Sequence, residues 1–517
     1  MKQFPLATEY YMRANKSLRR RNVGALVLGL IVAWMSLLTF VEQAQAIPVF
    51  SRKYQTSCVT CHTIFPQLNP FGEAFRRNGY QFPDDDETLV KEDPVKLGIE
   101  AYKEMFPKAI WPSTLPSIPA FSVFALGQNI VNLAPNPAVQ KNWDINAPSD
   151  IELVGVSTFG KDISTFWDLA FTPQDGASVG RVFVQFSNLF SWDTEDDDDG
   201  ARKGNRFMAL PPRALNLRVG RFDPAVLPHV ITEESMAQYV PLTTSFSLGQ
   251  TGFNLFAEQP AIEINGILQQ YWSYAVGIAN GGSSVTLPSD DNTFKDIYFR
   301  VARRWYGFPM DGRLGSSAPG SVTGAQTKPA NDSPDDYESE SADYWKFWLF
   351  ETGVYGWFGK SNVPLTSPLT GVPVYDSNDP STFGKDRFER IGVDARLWQG
   401  GLDIYGNAFV GHDPFPGFLQ NNISLAGPTD HAGYYIEADY QWNAWAMAFL
   451  RYEQIKIYNG GFSGQQQARV VPGIVLALRQ NMRLSSEVYI NTQHLQPIDP
   501  SIPQSLGQWI TTLWWAF

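Results

Sequence analysis

From Ala120 to the C-terminus the chain runs in segments of about ten residues that alternate apolar and polar positions, broken by loops of Asp, Asn, Gly and Pro. Leu215-Asn216-Leu217-Arg218-Val219-Gly220-Arg221-Phe222, the stretch from Tyr434 to Tyr440 and the stretch from Met482 to Tyr489 show the pattern most plainly. A period of two puts every second side chain on one face of a strand, so one face here is apolar and the other carries Arg, Glu and Asp. That division is expected where lipid lies outside a sheet and water inside it. A soluble sandwich also alternates, but it has no use for arginine and glutamate on the enclosed face of strand after strand. The segment length agrees, because a tilted strand crosses a bilayer in about 9–11 residues.

About sixteen such segments can be marked, an even number as single-chain bacterial barrels require. Tight connections at Gly160–Asp162, Leu268–Gln270, Gln399–Gly400, Trp442–Ala444 and Arg479–Asn481 alternate with longer ones. Short turns on one side, periplasmic in such barrels, and long loops on the other are the expected arrangement. Two connections break the rule: Ser191–Arg213 and Gly307–Asp343 fall on the short-turn side yet are long, which predicts either a missed strand pair or an insertion. The final segment, Gln508 to Phe517, resembles the terminal strand by which bacterial outer-membrane proteins are recognised for assembly. Trp509, Leu513, Trp515 and Phe517 share its outer face, and tryptophan suits the interfacial girdle. The fold class expected is mainly β, an outer-membrane antiparallel barrel of about 16 strands preceded by a small α-helical domain.

The first 46 residues read as an export signal: Arg19-Arg20-Arg21, an apolar run from about Val23 to Val41, and the small-residue site Ala44-Gln45-Ala46. The run is long enough for a membrane anchor, but the Ala-x-Ala site directly after it favours cleavage near Ile47. Removing six basic and two acidic side chains takes the net charge from −12 to about −16. Such a chain is not built to bind nucleic acid. Catalytic triads and phosphate-binding glycine loops find no match.

Between Ile47 and Ala120 stands Cys58-Val59-Thr60-Cys61-His62. Two thiols three apart followed by histidine form the attachment signature of a c-type haem, the thiols adding to its vinyl groups and His62 ligating the iron. A structural zinc site needs four ligands, but these are the only two cysteines and the next histidine is His229. A redox-active dithiol gives no reason for the histidine and lacks a flanking βαβ pattern. An exported chain is also the setting that thioether attachment of haem requires.

After the motif, Phe65, Leu68, Phe71 and Phe75 recur at near-helical spacing, and Asn78-Gly79-Tyr80 supplies a C-cap and an aromatic. These five apolar side chains, Tyr80 included, either pack on the haem or form the face of an ordinary helix in a small core. Met105, the only methionine in the segment, is the candidate sixth iron ligand, and its alternative is simple packing beside Phe106 and Ile110. Pro107, Pro112, Pro116 and Pro119 then read as a stiff linker. The organisation expected is a signal peptide over 1–46, a monohaem cytochrome c domain with its Pro-rich linker over 47–119, and a porin-like barrel over 120–517.

The pattern Tyr54-x-x-Ser57-Cys58-x-x-Cys61-His62-x-x-Phe65-Pro66-x-Leu68-Asn69-x-Phe71-Gly72-x-x-Phe75-Arg76-x-Asn78-Gly79-Tyr80, ahead of a barrel, resembles the fused cytochrome–porins of the bacterial outer membrane, best known as iron oxidases. The resemblance implies one covalent haem c on Cys58, Cys61 and His62, in or next to the barrel lumen. It implies an Fe(II)-oxidising cytochrome that takes electrons from an extracellular reductant such as Fe(II) and passes them to a periplasmic c-type cytochrome or similar carrier. A solute porin whose haem domain is a plug or sensor, and an outward conduit to an extracellular acceptor, stand as alternatives. His229, His412, His431 and His494 fall in loops or strand ends on the long-loop side, where lone histidines need no function; the alternative is that His412-Asp413 and Asp430-His431 together offer imidazole and carboxylate to a metal ion. The acidic run from Asp193 to Asp199 reads as a solvated loop, or as a dock for a basic cytochrome.

Overall fold

The computed structural model describes residues 49–83, 89–90, 94–95, 105, 115–116, 121–133, 142–159, 162–173, 176–190, 210–228, 235–246, 248, 253–255, 258–281, 293–313, 348–364, 383–415, 419–420, 423–424, 428–459, 466–493 and 507–516. The export segment, most of the Pro-rich linker, the run 193–199, His229 and His494 lie outside these residues. Residues 47–517 form one compact unit.

Sixteen antiparallel strands close into a barrel in which every strand pairs with its sequence neighbours. They are β1 Phe121–Asn132, β2 Trp143–Phe159, β3 Ile163–Thr172, β4 Gly176–Phe186 and β5 Asn216–Phe222. Next come β6 Gln259–Leu268, β7 Trp272–Ala279, β8 Asp296–Tyr306, β9 Trp348–Pro364, β10 Phe383–Gln399 and β11 Leu402–Asp413. The last are β12 Thr429–Asn443, β13 Ala446–Ile457, β14 Gln466–Arg479, β15 Met482–Gln493 and β16 Gly507–Ala516. Closure joins β16 to β1, with Trp509 opposite Val131 and Trp515 opposite Ala125. No edge remains to be satisfied, which is the condition for a sheet to sit in lipid.

Each expected strand is present, and the tight turns fall where the pattern puts them, Gln399 pairing Leu402 and Arg479 pairing Met482. The long connections after β4 and β8 do start and end on the short-turn rim, because Phe186 pairs Ile163 and Trp348 pairs Gln399. No strand pair is missing from the closed ring, so both are excursions from that rim. The largest boundary error is β2, expected from near Ile151 and found from Trp143: Pro148, Ser149 and Asp150 have the composition of a loop and separate the alternating Trp143–Ala147 from the rest of the strand.

Outward positions are apolar and exposed along the wall, among them Ile264, Val276, Ile297, Val354, Val393, Ile436 and Leu450. Trp272, Trp305, Trp348, Trp442 and Trp445 are exposed near the short-turn ends and form the aromatic girdle at that interface. No helix among the described residues is long and apolar enough to cross a membrane; the strands do the crossing. A closed barrel with this outer band is an outer-membrane barrel.

The lumen is not empty. From the long-loop rim, the connection between β5 and β6 folds inward and carries the short helix α3, Leu242–Ser245. Its backbone donors meet inward carboxylates and a phenol: Leu242 N to Glu453 Oε2 at 2.6 Å, Gln238 N to Glu487 Oε1 at 2.8 Å, Tyr239 N to Tyr489 Oη at 2.8 Å. From the other side the N-terminal segment, residues 49–83, fills the bore with helices α1, Val49–Tyr54, and α2, Pro70–Arg77. The two fillings share one apolar cluster, Ile64 with Met236 and Ala237 and with Met447 and Val471 of the wall.

Because Ile436 is outward in mid-strand, Ile436→Arg should lower barrel stability by about 2–4 kcal/mol, whereas arginine at the rim position Tyr458 costs about 0–1 kcal/mol. Denaturant unfolding of the protein folded into vesicles measures both; equal costs would mean that this face does not meet hydrocarbon.

Candidate functional site

A 3-10 turn, Cys58–Thr60, closes on Cys61, whose N–H donates to the Cys58 carbonyl at 3.3 Å. With about three residues per turn, side chains at i and i+3 eclipse, so both thiols come to one side. The turn is held by α2 directly behind it. Asn69 caps that helix, accepting from Gly72 N at 2.9 Å, while its amide donates to the carbonyls of Val59 and Thr60 at 3.2 and 3.0 Å. Asn69 N donates in turn to the Cys61 carbonyl at 3.0 Å. Gly72 is required by contact: a Cβ there would lie 2.1 Å from the Cys61 carbonyl oxygen. At the far end Gly79 takes φ +73° and Tyr80 N returns to the Phe75 carbonyl at 3.0 Å, the C-terminal stop expected at Asn78-Gly79.

Cys58 and His62 line one wall of a cleft with an empty volume of about 890 Å³. Phe65, Trp514 and Trp515 give it apolar sides, and Arg479 and Arg483 reach it from the β14–β15 hairpin. Ala444, Gln480 and Asn481 belong to the tight turns, so the cleft lies at the short-turn rim. His62 Nδ1 is 2.9 Å from the Pro66 carbonyl. A carbonyl only accepts, so Nδ1 carries the proton and Nε2 keeps the lone pair that a metal needs. Phe65 sits edge-on to His62 at 5.1 Å and stacks on Phe124 of β1 at 5.7 Å, and Arg483 donates to the Phe65 carbonyl at 3.0 Å.

Cys61 packs deeper, against the cluster of Tyr54, Phe71, Phe75, Phe82, Phe308, Leu349 and Trp398. Burial pushes its thiol up to about 12, and the neighbouring Cys58 adds to the shift; burial raises Cys58 as well. A redox dithiol works through a lowered thiol pKa, and both shifts here run the other way. The donor set, two thiols and an imidazole, fits a c-type haem; Cys58 and His62 line the cleft, and Cys61 stands behind it against the cluster.

The docking of this segment rests on charge. Glu73, 1% exposed, faces Arg304 of β8 at 3.1 Å and is bound by Arg396 of β10. Arg304 also holds Glu351 of β9 at 2.8 Å, and Arg396 holds Asp403 of β11 at 2.6 Å. Gln67 donates to Asp403 and Asp439 at 3.0 and 2.6 Å, and Gln441 donates to the Thr63 carbonyl at 3.1 Å. Leaving one partner of such a buried pair alone costs about 3–5 kcal/mol, which makes register and depth of the segment unique.

Of the residues expected from sequence to pack on the haem, Phe65 lines the cleft, Phe71 and Phe75 lie in the cluster beneath Cys61, and Tyr80 stacks on Phe166 of β3 at 5.4 Å. Leu68 is half-buried beside Gly72, and Met105 is 69% exposed. The sequence reading missed Trp514, Arg479, Arg483, Glu73, Arg304 and Arg396. The Asn69-Pro70 start of a helix was the available signal for the clamp, but the wall partners lie hundreds of residues away. The metal set offered by His412, Asp413, Asp430 and His431 is corrected: strand alternation sends His412 and Asp430 to the outer face, paired at 2.5 Å, and buries His431 and Asp413 inside. No group of three His, Cys, Asp or Glu able to hold a metal ion occurs among the described residues.

Fold and site together define an outer-membrane β-barrel whose bore is stopped by its own N-terminal Cys-x-x-Cys-His segment. No family model matches the chain, and no curated protein matches it. Solved structures to which it is similar include Salmonella typhi OmpF in complex with daunomycin, at 14% identity and TM-score 0.46 over 77% of this chain and 97% of that one. A loop L8 deletion mutant of Vibrio cholerae OmpT matches at 9% identity and TM-score 0.44, over 77% and 98%. An anion-selective porin from Comamonas acidovorans matches at 12% and 0.44, over 77% and 100%. The reading of the site rests on its own geometry.

Glu73→Gln keeps the shape of the side chain and removes its charge, so the segment should undock by about 3–5 kcal/mol. Trypsin then cuts after Arg76 and Arg77 in folded barrels, sites protected in the parent protein; unchanged protection would show that the ion pairs do not hold the segment. Gly72→Ala forces α2 off the Cys61 carbonyl, and alkylation of Cys61 in haem-free protein should accelerate relative to the parent chain.

Proposed function

We propose that this chain is an outer-membrane electron-transfer conduit in which one covalent haem c, on Cys58, Cys61 and His62, takes electrons from an extracellular donor, Fe(II) favoured, and passes them to a periplasmic cytochrome. The observation that carries the reading is the cleft at the short-turn rim where Cys58 meets a histidine whose tautomer is fixed for ligation. Bound there, the haem supplies one-electron chemistry at iron.

The residues of the chain do the rest. The Pro66 carbonyl keeps the proton on Nδ1 of His62, orients the ring and raises the basicity of Nε2. Phe65 and Trp514 wall the cleft against water, which favours a stable potential. Arg479 and Arg483 line the same cleft and would neutralise the haem propionates. Short turns of such barrels are periplasmic, so the cleft faces the compartment where a soluble carrier docks.

The filled lumen supports a conduit over a wide solute pore, since residues 49–83 and α3 occupy the bore from both rims. Fe(II) is favoured by the resemblance of residues 54–80 to iron-oxidising cytochrome–porins and by the match between a one-electron centre and a one-electron donor.

Anaerobic stopped-flow absorbance of the oxidised, haem-loaded protein mixed with Fe(II) tests the proposal. The c-type α-band should rise rapidly, with one haem per chain by pyridine haemochrome, and both signals should be lost in His62→Ala. No reduction by Fe(II), with prompt reduction by a stronger reductant, would overturn the iron reading.

A further inference from the structure

Beside the docked segment a second cavity, with an empty volume of about 1030 Å³, follows the wall along β5. Its lining includes Asn216 and Ile267 near the short-turn rim and Phe222, Pro224 and Leu227 toward the long-loop rim, so it spans the length of that strand. The charge facing it is uneven. Among the described residues Arg76, Arg77, Arg181, Arg218 and Arg300 line it, with two carboxylates, Asp223, which is bound to Arg181, and Glu263.

The other acids that balance these guanidiniums lie outside the lining. Arg300 is held bidentately by Asp394 at 2.7 and 3.0 Å, and Arg181 by Asp168 at 2.5 Å. Glu263 is itself engaged by Tyr298 Oη at 2.9 Å and by Ala225 N at 3.0 Å. Arg218 donates to the neutral Gln185 Oε1 at 2.9 and 3.2 Å and stands 3.7 Å from Glu263. Arg77 keeps a buried Nη1 with no hydrogen-bond acceptor, and its nearest carboxylates, on Glu351 and Glu73, are 3.6 and 3.7 Å away. Arg77 lines the cavity and keeps one donor unmet beside it, a setting that favours an acceptor carrying negative charge.

We infer that the lumen retains a narrow passage beside the haem segment that conducts small inorganic anions and rejects cations. Guanidinium rings set the sign of selectivity in pores by the field at close quarters. A donor cation such as Fe(II) is thereby kept out of the periplasm while the barrel stays permeable to chloride or an oxyanion. The inference does not rest on electron transfer, and either can fail alone.

Planar-bilayer recording of the full, haem-loaded protein under a KCl gradient tests it. The reversal potential should report a chloride-over-potassium permeability ratio above unity, falling toward unity in the double variant Arg77→Gln, Arg218→Gln. Arg303→Gln, whose guanidinium lies on the exposed aromatic girdle between Trp272 and Trp305, leaves the ratio unchanged. A protein that folds but conducts nothing, or that prefers potassium, would overturn the inference.

Discussion

A carboxylate shut inside a barrel must be paired or neutralised, and Glu73 meets this demand by sitting between guanidiniums from β8 and β10. Barrels of about 16 strands leave room for an aqueous channel, so a segment inside one needs specific partners to take a single depth and rotation. Apolar packing alone would let residues 49–83 slide along the bore. The ion pairs, with Gln67 between Asp403 and Asp439, fix the position, and α2 then presses Gly72 onto the Cys61 carbonyl.

The position matters because the cleft is built from two parties. The segment contributes Cys58, His62 and Phe65; the barrel contributes Trp514, Trp515, Arg479 and Arg483 from the strands that end at the short-turn rim. Neither has an enclosed site alone. The same inward charges also organise the long-loop side, where Glu453 and Glu487 accept backbone N–H groups of the β5–β6 connection. Among the described residues, inward polarity therefore serves in large part to bind protein.

Much of this was legible from the chain. Strand number, tight turns and the outward face followed from a period of two, because a bilayer on one side and polar groups on the other leave each strand no choice of face. Cys58, Cys61 and His62 stood out by their spacing, and the structure sets Cys58 and His62 on one cleft. The start of β2 was missed because Pro148-Ser149-Asp150 has the composition of a loop and hides the alternating residues before it. The metal set around His412, the lesser of two readings, is ruled out by face, of which closeness in sequence says nothing: Gly411 stands opposite His431 in the ladder, and Asp430 stands opposite His412.

The sequence by itself determined a barrel and a haem-attachment motif, since both are written in local patterns of a few residues. Only the tertiary structure decided that the motif segment stops the bore, which rim its cleft faces, and which arginines hold it. Those contacts join residues such as Glu73 and Arg396, 323 positions apart, and a buried charge selects its partner by place in the closed lumen rather than by any mark in the chain.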